Sequence, residues 1–176
     1  MGLATLLGMG GLGAVVIYFF IAPDLKSYFL SGAPIYLQLV IGSVYGILSA
    51  FLAWQLINSP KLKRIKAEYI GFLSSLKLSL GEILFISFCA GVGEELLFRG
   101  AVQPYLGIFF TSVVFVAVHG YLNPKNPDIV WYGIFMTLVI IGIGNMYEKI
   151  GVFSAMSAHF WIDVILLLYI NFQNNN

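Results

Sequence analysis

Glu94, Glu95, Arg99, His119, His159 and Asp163 stand in stretches of this 176-residue sequence that are otherwise almost wholly apolar. Glu82 completes the set, but it lies beside Lys77 near the end of its run, where an interfacial residue would sit. Ionisable groups inside such stretches are costly unless paired or solvated, which makes them candidates for function. Glu95 and Arg99 are four apart, so on a helix they share a face and can pair. Glu94 points about 100° away from Glu95. One division of labour follows, in which Glu95 anchors Arg99 and Glu94 is left for chemistry. A purely structural ion pair is the alternative; it accounts for Glu95 and Arg99 but leaves Glu94 without a partner.

The same spacing recurs twice. Phe115 precedes His119 by four residues, and His159 precedes Asp163 by four. Each pair therefore occupies one helical face. A carboxylate beside a histidine holds its tautomer and raises its basicity. Glu94, His119, His159 and Asp163 could converge on one water or one ion. A carboxylate with imidazoles can deprotonate a water for attack on a carbonyl. The same four side chains could instead bind zinc, whose sites draw on His and Asp/Glu. Hydrolysis in either form needs a wet cavity.

The elements that must position these groups are read from the apolar runs. Hydrophobic residues make up 60% of the chain and charged residues 10%, too little polar surface to clothe a globule in water. A bilayer core of about 30 Å takes around 20 apolar residues in a helix. Such runs extend over Ala4 to Ala22, Ile35 to Ile57, Leu78 to Val102, Asp128 to Tyr147 and Ile150 to Ile170, with a shorter one over Gly107 to His119. Pro104 is expected to end or kink the third. The expectation is an all-α polytopic transmembrane bundle of about six spans, a single domain over residues 1–176 with its catalytic core at about 78–170. Lys61 to Lys77 mixes Lys61, Lys63, Arg64, Lys66 and Glu68 with apolar residues and reads as an interfacial amphipathic helix. Asn171 to Asn176 reads as a frayed polar tail.

Four of the nine Lys and Arg residues fall between Lys61 and Lys66, so the positive-inside rule puts that segment in the cytoplasm. With six spans, both termini are then cytoplasmic too. Trp131 and Tyr147 fit interfacial anchors. The net charge of +1 offers no footprint for nucleic acid, and the single cysteine, Cys89, excludes an internal disulfide framework. Met1 to Phe20 lacks a basic n-region and a clear cleavage site, so it reads as a retained helix. The partners expected are membrane lipid and a peptide or protein; oligomeric state is left open.

Gly93-Glu94-Glu95-Leu96-Leu97-Phe98-Arg99-Gly100 resembles the EExxxR motif of the CAAX protease and bacteriocin-processing family of intramembrane endopeptidases, which includes the type II CAAX prenyl endopeptidases. Phe115 and His119 match its FxxxH motif, and His159 and Asp163 its third motif, His followed four residues later by Asn or Asp. The resemblance covers roughly Leu80 to Tyr169. It implies a helical bundle with a cavity open to membrane and water. It further implies that Glu94 and His119 activate the attacking water, that His159 and Asp163 stabilise the oxyanion or its partners, and that Glu95 and Arg99 position them. The cofactor implied is either none or zinc, held in that case by Glu94, His119, His159 and Asp163. The eukaryotic prenyl proteases carry Asn where this chain has Asp163, and an ionised Asp cannot donate a hydrogen bond. Asp163 must then be protonated, orient His159 or coordinate a metal. The compact chain fits a prokaryotic cytoplasmic membrane, and with it a peptide precursor, bacteriocin leader or membrane-anchored tail as substrate. The resemblance also permits a non-enzymatic immunity factor or scaffold. A proton-coupled carrier is a third option, but no inverted repeat is visible.

Overall fold

The computed structural model describes residues 2–62 and 77–172, and the regular structure among them is helical throughout. The first helix, α1, spans Gly2–Ile21 and includes two π-helical stretches. A short helix α2, Leu25–Leu30, follows, capped by the Asp24 carboxylate on the amides of Lys26 and Ser27. Next come α3, Ile35–Ile57, and a single 3-10 turn, Pro60–Leu62. Of the interfacial helix expected over Lys61 to Lys77, residues 63–76 lie outside the described residues; Leu62 closes the 3-10 turn, and Lys77 is non-helical. Helix α4 begins at Leu80 and continues from Glu95 into a π-helical segment, Leu96–Val102. Ser79 starts it with a reciprocal capping box, its hydroxyl on the Glu82 amide and the Glu82 carboxylate on the Ser79 amide, which accounts for Glu82 at a span end. Helix α5, Gln103–Val118, α6, Pro127–Lys149, and α7, Val152–Phe172, complete the chain.

Five helical stretches are long and apolar enough to cross a bilayer, and one of them, Leu80–Val118, runs for 39 residues. That stretch is two rods. Inside α5, Gly107 takes φ 72° and ψ 169°, a backbone state that side chains beyond glycine rarely adopt, and the chain reverses there. Phe98 meets Phe115 and Glu94 meets His119, pairs that lie symmetrically about Gly107. The chain therefore reverses at Gly107 and not at Pro104, which the helix carries through directly after its π-helical segment. The six expected helical segments are present, but the fourth, residues 108–118, rises only about 16 Å at 1.5 Å per residue. It reaches about halfway through a 30 Å core.

Close backbone contact fixes how the rods pair. Gly42 lies against the Ser154 carbonyl and Gly46 against the Ala158 carbonyl, so α3 and α7 run parallel through a GxxxG face. Higher up, Trp54 stacks on Tyr169 at 4.7 Å. Gly91 packs on Met156 and Phe160, while Asn171 Nδ2 donates to the Leu78 carbonyl at 2.8 Å, so α4 runs antiparallel to α7. Asn171 is thus the last turn of a helix, where the sequence suggested a frayed tail. Gly10 faces Gly93 and Gly13 faces Leu96, which makes α1 parallel to α4. The start of α1, the end of α3, the start of α4 and the end of α7 consequently gather at one end of the bundle.

The outward surface is apolar, with Leu7, Phe20, Phe110, Val118 and Leu138 each more than 60% exposed. In water such a surface would aggregate, whereas in a bilayer it faces lipid. Inside, Ile140, Ile143, Phe98, Phe115, Ala158 and Ile162 form a continuous buried core beneath the polar groups described next.

Candidate active site

Two adjacent carboxylates on α4 face two different histidines. Glu94 Oε2 lies 3.4 Å from His119 Nε2. Glu95 Oε1 lies 2.8 Å from His159 Nδ1. The second contact joins residues 64 positions apart and was not legible in the spacing. Glu95 also accepts from Arg99 Nε at 3.0 Å through Oε2, and both side chains are fully buried. Glu95 therefore binds an imidazole and a guanidinium at once. Asp163 Oδ2 stands 3.6 Å from His159 Nε2, too far for a hydrogen bond but close enough for charge to act. His159 thus has a carboxylate at each ring nitrogen.

Phe115 ties the two histidines together. Its ring stacks on His119 at 4.4 Å and meets His159 edge-on at 5.6 Å. The Arg99 guanidinium carbon lies 5.7 Å from the same ring. Replacing this phenyl would open space under all three polar groups at once.

The short fourth rod determines where this happens. His119 is the residue after α5 ends, so a helix that stops halfway through the bilayer delivers it near mid-depth. Gly120 then turns the chain at φ 81°. A helix end at that depth is tolerated only where it is buried in protein or lines a wet cavity. The α5 end satisfies part of its need locally: the Phe115 carbonyl accepts from the His119 amide at 3.3 Å and faces His119 Nδ1 at 2.7 Å.

Those partners assign protons. A carbonyl only accepts, so His119 Nδ1 carries its hydrogen and Nε2 is the nitrogen turned towards Glu94. By the same reasoning the Glu95 carboxylate fixes the hydrogen of His159 on Nδ1. The His119–Glu94 contact lacks hydrogen-bond geometry, and Glu94 Oε2 is buried with no hydrogen-bond donor. Glu94 is 13% exposed and His119 33% exposed, so this pair is the more open of the two.

Zinc sites gather three or four ligands on one point. Among the described residues no three His, Cys, Asp or Glu side chains come together in that way. Glu94, His119, His159 and Asp163 meet in pairs, and each histidine is held through Nδ1, by Phe115 or by Glu95, which leaves both Nε2 atoms turned towards carboxylates. Those Nε2 atoms are the ones a zinc would use, since a ligating histidine has its other ring nitrogen held by a carboxylate or carbonyl.

Polar contacts continue beyond the motif residues. Arg99 Nη1 donates to Gln103 Oε1 at 3.2 Å, and Gln103 Nε2 donates to Glu148 Oε1 at 2.9 Å. Sequence reasoning missed Gln103 and Glu148. The signal for the first was present: 95, 99 and 103 step four residues at a time along one face. Separately, a cavity of about 560 Å³ lies over α7, lined by Phe88 and Val92 of α4, Leu39 of α3, and Met156, Phe160 and Trp161. It is almost entirely apolar, and none of the paired carboxylates or histidines lines it.

A family model described as type II CAAX prenyl endopeptidase Rce1-like matches residues 76–165, just over half of the chain. The chain is also similar to the uncharacterized protein YpbD of Bacillus subtilis (strain 168), at 35% identity over 100 residues. That alignment covers 56% of this chain and 50% of YpbD, so the chain spans about half the length of the curated relative it matches. No solved structure matches.

Proposed function

The chain belongs to the Rce1-like family of type II CAAX prenyl endopeptidases, and from that premise we propose that it hydrolyses a peptide bond of a membrane-associated peptide or protein by a water activated between Glu94 and His119. It is an integral membrane protein of a protease family; the reaction, its residues and its substrate are our reading. The observation that carries it is the Glu94–His119 pair, a carboxylate oxygen buried without a hydrogen-bond donor beside an imidazole nitrogen 3.4 Å away, at the end of a half-length helix.

In this mechanism Glu94 takes a proton from a water, and the resulting hydroxide attacks the carbonyl carbon of the substrate. Negative charge develops on the carbonyl oxygen. His159, held by Glu95 at Nδ1, offers Nε2–H to that oxygen in its doubly protonated form. The proton held between Glu94 and His119 passes to the departing amine as the C–N bond breaks. Asp163 faces His159 Nε2 and orients the ring. Charge develops away from bulk water, where preorganised partners count most. The substrate class that fits best is a peptide precursor or membrane-anchored tail that can bring an unwound bond to mid-depth.

We further infer that the end of the bundle where the Lys61–Lys66 cluster attaches faces the cytoplasm, with both termini on that side. The deciding experiment is a substrate trap. Membranes carrying Glu94→Gln are expected to retain an uncut precursor that mass spectrometry identifies and that the unsubstituted protein cleaves. If the same peptides are found with both proteins, in uncut and cut form alike, the proposal fails.

A further inference from the structure

Helix α6 brings no motif residue to the paired histidines, yet it is tied to one of them. Gln103 is 2% exposed. Its Oε1 accepts from Arg99 Nη1 at 3.2 Å, and its Nε2 donates to the Gly144 carbonyl at 3.2 Å and to Glu148 Oε1 at 2.9 Å. Arg99 donates through Nε to Glu95, and Glu95 accepts from His159 Nδ1. A line of polar contacts therefore runs from His159 through α4 to Glu148, an exposed residue in the last turn of α6.

Position 103 sits between a cation and an anion. An amide serves both, because its oxygen accepts and its nitrogen donates. A carboxylate there would face Glu148 with like charge. A leucine would leave Arg99 Nη1 without an acceptor, next to Nη2, which already has none. The line is not a proton path, since a guanidinium stays protonated. What it can do is hold the guanidinium still, and with it the carboxylate that fixes His159.

We propose that Gln103 and Glu148 are positioning residues that set the orientation of His159 through Arg99 and Glu95. Its catalytic meaning rests on the proteolytic reading, but its test reads the imidazole and not cleavage. The chain has two histidines, so histidine-selective ¹⁵N labelling of the full chain in lipid nanodiscs gives two rings to follow, assigned with His119→Asn. In Gln103→Leu the His159 ring-nitrogen signals are expected to move and broaden while those of His119 stay in place. Gln103→Glu alone should move them too. The combination of Gln103→Glu with Glu148→Gln keeps an acceptor towards Arg99 and a donor opposite it, and should return the His159 signals to their original positions. Glu148→Ala alone, at an exposed position, removes the acceptor for Gln103 Nε2 and should shift His159 in the same sense as Gln103→Leu, by less.

An unmoved His159 in Gln103→Leu overturns the proposal. Equal movement of both histidines, which would report general loosening, also overturns it, as does failure of the combined exchange to restore His159. Should Gln103→Leu not fold, Glu148→Ala decides, and an unmoved His159 there is equally fatal. A protein that shows the expected shifts yet cuts no peptide supports the tether and overturns the proteolytic reading.

Discussion

Replacing Glu94 and Glu95, each by glutamine, should separate chemistry from cohesion at two neighbouring positions. Glu95 is fully buried and answers both Arg99 and His159. Glutamine keeps its shape but not its charge. Arg99, with Nη2 already lacking an acceptor, would lose its counter-ion. Removing one partner of a buried ion pair costs about 3–5 kcal/mol. The amide oxygen can still accept one of the two bonds, which points to the low end, about 3 kcal/mol. At about 2–4 °C per kcal/mol for a chain of this size, Tm should fall by roughly 6–12 °C. Glu94 has no such duties: its 3.4 Å contact lacks hydrogen-bond geometry. Glu94→Gln should cost about 1 kcal/mol or less. Its loss as a base should slow cleavage by about 10²–10⁴-fold, or about 2.7–5.4 kcal/mol of barrier. Thermal melting by circular dichroism in detergent and single-turnover cleavage of the trapped precursor give the two readings. If Glu94→Gln cuts within about threefold of the parent, or if Glu94→Gln melts early while Glu95→Gln does not, the assignment of the two carboxylates is wrong.

Three other outcomes follow. A Cβ at Gly107 would meet nothing within 4 Å, so Gly107→Val tests backbone conformation alone; it should cost about 1–3 kcal/mol in a denaturation curve and lower cleavage by pulling His119 from Glu94, and an unchanged rate would show that the reversal does not matter. If Glu94 and His119 activate the water by themselves, dialysis against a chelator should leave cleavage by the purified protein largely intact; stoichiometric zinc lost together with activity would refute this. Reporters inserted after Leu62 and fused after Asn176 should both read as cytoplasmic, and opposite readings would break the topology.

Much of this architecture is local and so could be read from residue order. The apolar runs announce membrane helices because lipid demands them, and four-residue spacings announce which side chains share a face. Glu95 with Arg99, and His159 with Asp163, are of that kind. The contact of Glu95 with His159 is not, since it depends on how α4 and α7 pack along Gly91. An end or kink was expected at Pro104 because proline is the stronger breaker in general. In this chain the helix continues through the proline, directly after its π-helical segment, and the turn falls to the glycine three residues later. Gln103 was overlooked because a lone neutral amide gives no charge signal; only its place between Arg99 and Glu148 gives it weight.

The half-length rod has a biosynthetic corollary. Eleven or so residues are too few to enter a bilayer as an independent span. Residues 108–118 must therefore be carried in by α4, as the second arm of a hairpin bent at Gly107. Until that arm docks, His119 has no fixed depth and Glu94 has no imidazole beside it. On the proposed mechanism, a nascent chain stalled before α5 folds back would be membrane-inserted but inert, and cleavage would begin only with the completion of assembly.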